Sequence, residues 1–179
     1  MRILDREKIP YRAYYYDHED GKIDGVSVAG KLGQEVEQVF KTLVTRGASK
    51  SFYVFVIPVA KELDLKAAAK SVGEKSVEMI HVSEINKITG YIRGGCSPVG
   101  MKKRFRTVID SSCGQLPAMI VSAGKIGTQV QLEPSALLAQ DHALGVADEA
   151  HALRIHLRHK QGRPEPRDVV VVSGLARIH

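Results

Sequence analysis

The stretch KTLVTRGASKSFYVFVIP, residues 41 to 58, constrains the fold more than any other. Two β-rich runs, Lys41 to Arg46 and Ser51 to Pro58, are separated only by Gly47 to Lys50. A parallel crossover needs about a dozen residues or more, so the two runs are predicted to pair as an antiparallel hairpin. Four further runs carry β-branched and aromatic residues bounded by turn formers: YRAYYY (11–16), FRTVID (105–110), AMIVSAG (118–124) and TQVQLEP (128–134).

Short helices are predicted between them. MRILDREKI is amphipathic and stopped by Pro10; GVSVAGKL has Asp24 as a cap and Gly33 as a stop; QEVEQVF (34–40) offers a further turn. DLKAAAKSVG has the clearest punctuation, with Asp64 at the N-cap and Gly73 at the C-cap, and SEINKITG repeats it from Ser83 to Gly90. SALLAQDHAL (135–144) is a helix after Pro134. Together these predict an α/β (α+β) fold: a mixed, largely antiparallel, curved or partial-barrel sheet of about six strands surrounded by short helices. A doubly wound parallel sheet fits less well. HKQGRPEPRD (159–168) has linker composition, and VVVVSGLARIH (169–179) reads as an added strand, an interface segment or a loose end.

Composition bounds the function classes. With 44% hydrophobic and 26% charged residues in 179, the chain can bury one core. It contains no apolar run of the roughly 18 residues a membrane span needs, and charges occupy the N-terminus where a signal peptide has its apolar stretch; the expected setting is the cytoplasm, with no membrane partner. Cys96 and Cys113 are expected to be reduced. No CxxC pair or HExxH motif supports a metal site, and no cofactor is expected. The net charge of +6 is uneven: residues 1–150 hold 20 Lys and Arg against 18 acids, and residues 151–179 hold 6 against 2. Within the body, Lys102, Lys103, Arg104 and Arg106 form the one dense cationic cluster, either a solvated face or a phosphate-binding surface.

Several motifs lead nowhere. GVSVAGKL nearly matches a P-loop, but Leu32 stands where a magnesium-binding hydroxyl belongs and no strand precedes Gly25. Ser122 and Lys125 in SAGK have SxxK spacing, which works on a helix face; here a strand runs into glycines. No histidine spacing marks Cys96 as a nucleophile. His18 is read as a solvated loop residue, and His151, His156 and His159 fall in the basic tail. The loop IRGGCSPVG differs in kind: Gly94 and Gly95 bare the main chain, Pro98 stiffens the far side and Gly100 permits another bend. Such a loop binds an oxyanion or makes a tight connection.

FKTL (40–43), LKAAAKSVG (65–73), VEM (77–79), TGYIRGGCSPVGMKK (89–103) and VSAGKIG (121–127), in this order and at these separations, resemble the YbaK family, the aminoacyl-tRNA deacylase domain also found inserted in bacterial prolyl-tRNA synthetases. The likeness covers residues 5 to 150 and implies two parts: a deacylase domain over 1–150 and a basic extension of unknown role over 151–179. The family fold is a mixed sheet rolled into a partial barrel. Its members cleave the ester between a wrongly attached amino acid and the terminal ribose of tRNA, and the stand-alone YbaK branch acts chiefly on cysteine carried by proline tRNA.

By this resemblance Lys41 is the functional lysine, otherwise a surface cation at a strand start, and Gly94 and Gly95 present amides to the ester carbonyl. Phe40, Cys96, Ser97, Pro98 and Gly100 line the site, Tyr16 is a pocket tyrosine ahead of Asp17 and His18, and Ser122, Gly124, Lys125 and Gly127 form another wall. Cys96 replaces a common aliphatic or threonine and carries over as lining; Gln129 stands where some relatives have an acid, and an amide cannot act as a general base. The cysteine branch is thought to need none, because the substrate's thiol attacks its own ester; relatives acting on alanine or proline esters use water. Lys102, Lys103, Arg104 and Arg106 would contact tRNA phosphates, and prolyl-tRNA synthetase is the implied partner for tRNA choice. Competing readings are a nucleic-acid-binding module without catalysis and a small-ester hydrolase using Ser122 or Cys96.

Overall fold

The computed structural model describes residues 1–139, 153–158 and 164–173. Two sheets form. The first is three-stranded in the order β1 (Arg12–Tyr15), β7 (Thr128–Leu132), β6 (Met119–Ser122). The second runs β4 (Val77–Met79), β2 (Phe40–Gly47), β3 (Phe52–Pro58), β5 (Arg106–Asp110), β9 (Pro164–Ser173), β8 (Leu153–Arg158). Every neighbouring pair is antiparallel except β3 with β5. A parallel bridge between Val39 and Ile120 ties the sheets together, and among the described residues the strands close no barrel. The mixed, largely antiparallel expectation holds, including the 41–58 hairpin.

Strand β3 shows why. Its continuous apolar run is buried on both faces, the pattern of a central strand. Val54 and Val56 join Val44, Ile109, Met119, Val121 and Val130 in the core between the sheets. Phe55 and Ile57 face the other way, onto Ala68, Ala69 and Val72 of α3 (Leu65–Val72). Burying each such large side chain stabilises the fold by about 1.5–3 kcal/mol.

The capping signals place the helices. Asp24 accepts from Ser27 N at 3.0 Å and starts α2 (Gly25–Leu32); Asp64 accepts from Lys66 N at 2.9 Å and Ala67 N at 3.1 Å and starts α3. Both end on the expected glycines. The remaining helices are α1 (Arg2–Arg6), α4 (Val82–Thr89) and α5 (Pro134–Ala139).

Three expectations change, and one strand appears that none covered. α4 is capped by His81 rather than started at Ser83: the His81 ring accepts from Ser83 N at 3.3 Å while Glu84 accepts from His81 N at 3.2 Å. The 34–40 segment makes only a 3₁₀ turn over Val36–Gln38 before Phe40 enters β2. Strand β4 is too short to show periodicity, and its pairing with β2 defines it. Pro164 to Asp168, read as linker, belongs to β9. That stretch lies past the end of β5, on an open edge, the setting in which a strand tolerates proline. Val169–Ser173 is the added strand of the three readings open for it. Residues 140–144 of the expected helix, His151 and His159 lie outside the described residues.

Candidate active site

A cavity of about 110 Å³ opens where α2, the start of β2, the segment just past β3, the 92–100 loop and the small sheet meet. Phe40, Lys41 and Thr42 enter from β2. Lys41 Nζ donates to the carbonyl oxygen of Val59 at 3.1 Å, which holds the half-buried ammonium at the cavity. Gly25 and Val28 present the first turn of α2 to the same cavity. Gly25 lies so flat on Val59 that a β-carbon there would sit 2.2 Å from Val59 Cγ1.

The 92–100 loop contributes Gly94 and Cys96. Gly94 has φ 83°, and a β-carbon would come within 2.8 Å of Ile23 Cδ1, so only glycine leaves this wall bare. Gly95 is different. A β-carbon there would meet the main chain at 3.0 Å from Lys125 Cα, and its N–H already donates to Ile92 O at 3.0 Å. Gly95 therefore docks two loops together, and its amide is not available to an ester carbonyl. Burial pushes the Cys96 thiol up to about 11, so at neutral pH it is protonated and forms part of the wall.

The floor comes from the small sheet. Ser122 on β6 and Gln129 on β7 are direct cross-strand partners, both lining the cavity, and Tyr16 follows β1, its N–H bonded to Gly127 O at 3.1 Å. Thr42 Oγ1, Ser122 Oγ and Gln129 Oε1 are buried without hydrogen-bond partners. Among the described residues, no carboxylate lines this cavity. Among the described residues, no group of three His, Cys, Asp or Glu side chains could hold a metal ion.

The structure thus brings together Tyr16, Phe40, Lys41, Gly94, Cys96, Ser122 and Gln129, and adds Ile23, Gly25, Val28, Val39, Thr42 and Val59, which the sequence reading did not select. Signals for the added residues were faint. Gly25 was visible only as a helix start and in the rejected P-loop match, and Thr42 only as the residue after Lys41. Ser97, Gly100 and Gly124 instead line a second cavity of about 340 Å³ behind the loops, beside α1 and Tyr91. Pro98 is buried, Lys125 is exposed and Gly127 packs against His18.

The cationic cluster lies elsewhere. Arg106 pairs with Tyr53, and Lys41 with Ile57, four residues farther along β3, so the two sit roughly 13 Å apart along the strands. The Arg106 guanidinium is committed to the C-terminal end of α3, donating to Val72 O at 3.1 Å and Ser71 O at 3.4 Å. Lys102 Nζ donates to Asn86 O at 3.3 Å. Lys103 and Arg104 are exposed.

Comparison with known proteins converges on this architecture. Residues 24–139 match the aminoacyl-tRNA editing domain. Over 139 residues the chain is 48% identical to the "Putative Cys-tRNA(Pro)/Cys-tRNA(Cys) deacylase EbsC" of Enterococcus faecalis strain V583, spanning 78% of this chain and 85% of that protein. The crystal structure of a hypothetical protein superposes with a TM-score of 0.71 at 20% identity, covering 82% of this chain and 93% of the other, a likeness of fold. The crystal structure of "a putative trans-editing enzyme for prolyl tRNA synthetase" superposes with a TM-score of 0.64 at 25% identity, covering 72% and 80%. From the matched domain and the extent of these likenesses, the chain belongs to the aminoacyl-tRNA editing domain family.

Proposed function

We propose that this protein is a trans-editing deacylase that removes wrongly attached cysteine from Cys-tRNA(Pro) by cleaving the ester to the terminal ribose. One observation carries the reading: a small cavity is lined by the ammonium-bearing Lys41 and by bare main chain at Gly94, and among the described residues no carboxylate or histidine lines it. Such a site is poor at activating a protein nucleophile. It is suited to holding an ester whose own side chain reacts, and the name of the Enterococcus faecalis relative supports the substrate.

In this reading the substrate's sulfur bonds to its own ester carbon, the ribose oxygen leaves with the electron pair of the broken C–O bond, and the thiol proton ends on that oxygen. A small cyclic thioester is released. Holding thiol and carbonyl together inside the cavity supplies several kcal/mol of the barrier reduction, on the order of what proximity gives elsewhere. Lys41 stabilises negative charge on the carbonyl oxygen or anchors the terminal phosphate. Tyr16, Phe40 and Cys96 close the walls, and Ser97, Pro98, Gly100, Gly124, Lys125 and Gly127 shape the loops that hold them. The chemistry calls for no cofactor.

Lys102, Lys103 and Arg104 give the tRNA body a salt-sensitive electrostatic surface. Prolyl-tRNA synthetase is the partner that would select the tRNA, and the cytoplasm is the setting such work requires. We assign the deacylase to residues 1–150 and treat 151–179 as a basic extension, whose β8 and β9 lengthen the larger sheet. The test is incubation with cysteinyl-tRNA(Pro): release of the tRNA, lost in Lys41→Ala, supports the reading, whereas protection of the ester without turnover would support binding alone.

A further inference from the structure

A buried polar atom without a partner costs about 1–3 kcal/mol, and proteins retain one where a ligand or water completes it. Three such atoms, Thr42 Oγ1, Ser122 Oγ and Gln129 Oε1, line the same cavity. Ser122 and Gln129 face each other across the β6–β7 ladder, which sets their β-carbons roughly 4.5–5.5 Å apart on one face. Gln129 is only 7% exposed, so solvent does not serve its carbonyl oxygen. Thr42 comes from the other sheet, which the Val39–Ile120 bridge holds alongside.

A carboxamide oxygen asks for an N–H or O–H donor, and the two hydroxyls can accept or donate as required. The acyl end of an aminoacyl ester carries one group offering more than one N–H, its α-amino group. We infer that Gln129, Ser122 and Thr42 form the seat of that amino group, and that they take it as the uncharged amine. This inference rests on the deacylase reading above.

The charge state follows from what surrounds the seat. Among the described residues, the titratable groups lining the cavity are Tyr16 after β1, Lys41 on β2 and Cys96 in the glycine loop; α2, the segment just past β3 and the loop before α2 contribute Gly25, Val28, Val59 and Ile23. The nearest acid along α2 is its cap Asp24, whose carboxylate is engaged with Ser27. Lys41 and the positive N-terminal end of α2 both repel a second cation. A neutral seat beside a fixed ammonium therefore selects amine over ammonium. An α-amino group titrates near 8 in a peptide N-terminus and lower beside an ester, so both forms are present around neutral pH.

The test compares three tRNA esters with the wild-type full chain: cysteinyl, N-acetylcysteinyl and 3-mercaptopropionyl, the last lacking the amine but keeping the thiol. The cysteinyl ester should be cleaved at least tenfold faster by kcat/KM than either analogue. Its kcat/KM should rise with pH through the titration of the substrate amine. Gln129→Leu should lower kcat/KM at least tenfold more for the cysteinyl ester than for the 3-mercaptopropionyl ester. Gln129→Glu, by supplying a carboxylate, should extend activity about one pH unit lower. Equal cleavage of all three esters by the wild type, or an equal loss for both thiol esters in Gln129→Leu, overturns the amine seat alone. Failure of the wild type to cleave any of them overturns the deacylase reading and the seat with it. The wild-type comparison needs no variant to fold.

Discussion

Lys41 Nζ is hydrogen-bonded to the carbonyl oxygen of Val59 at 3.1 Å, so the start of strand β2 and the residue just beyond β3 jointly hold an ammonium at the cavity. The same Val59 is pressed against Gly25, which makes the lysine's anchor and the docking of α2 one arrangement.

Replacing Lys41 by methionine keeps the aliphatic stem and removes the charge. Deacylation of Cys-tRNA(Pro) should fall about 10²-fold or more in kcat/KM, the scale of losing one donor aimed at developing charge. A thermal melt within a few degrees of wild type would separate this loss from unfolding.

Two glycines predict opposite outcomes. Gly95→Ala forces a β-carbon to 3.0 Å from the Lys125 main chain, so the melting temperature and the activity should both drop as the loops part. Gly30→Ala, inside α2 with no atom within 4 Å of the added carbon, should stabilise by about 0.5–1 kcal/mol through helix propensity. Denaturant unfolding of both variants reads the difference.

The cationic cluster divides by function. Arg106→Ala removes donors from the Val72 and Ser71 carbonyls and should destabilise by about 1 kcal/mol, with no change in the salt dependence of tRNA binding. Lys103→Ala and Arg104→Ala should leave the melt unchanged and each reduce the salt slope by about 1. Binding titrations at several salt concentrations distinguish the two groups.

The cysteines give a pH signature. The Cys96 thiol is pushed from 9.0 up to about 11 by burial, and Cys113 from 9.0 up to about 11, first by burial and then by Asp110. Between about pH 9 and about pH 11 the unfolded chain loses thiol protons that the folded chain keeps, so stability should decline with rising pH across that window. Alkylation by iodoacetamide at pH 8 should be slow in the folded protein and rapid in denaturant.

What the sequence made legible was local. Asp64, Gly73 and the apolar run of β3 act through neighbours a few residues away, so helix and hairpin could be read directly. The ordered motifs located Lys41, Gly94, Cys96 and Ser122, and the resemblance placed Gln129 just beyond the last of them. Val59, Ile23 and Gly25 escaped because they join the cavity only when α2 docks onto the end of β3, a contact between distant segments. Gly95 and Arg106 looked functional by residue type; only their partners, Ile92 O and the end of α3, show what those groups are bonded to. His81 escaped because histidine is not a usual cap.

In the proposed mechanism the cavity promotes attack by the substrate's own thiol, with Lys41 supplying the charge. The most direct measurement compares cysteinyl and seryl esters on the same proline tRNA, which differ by sulfur against oxygen. Thiol attack should give rapid release of the cysteinyl ester, a cyclic thioester among the early products, and little release of the seryl ester. Equal cleavage of both, by water or by a protein nucleophile, would contradict it.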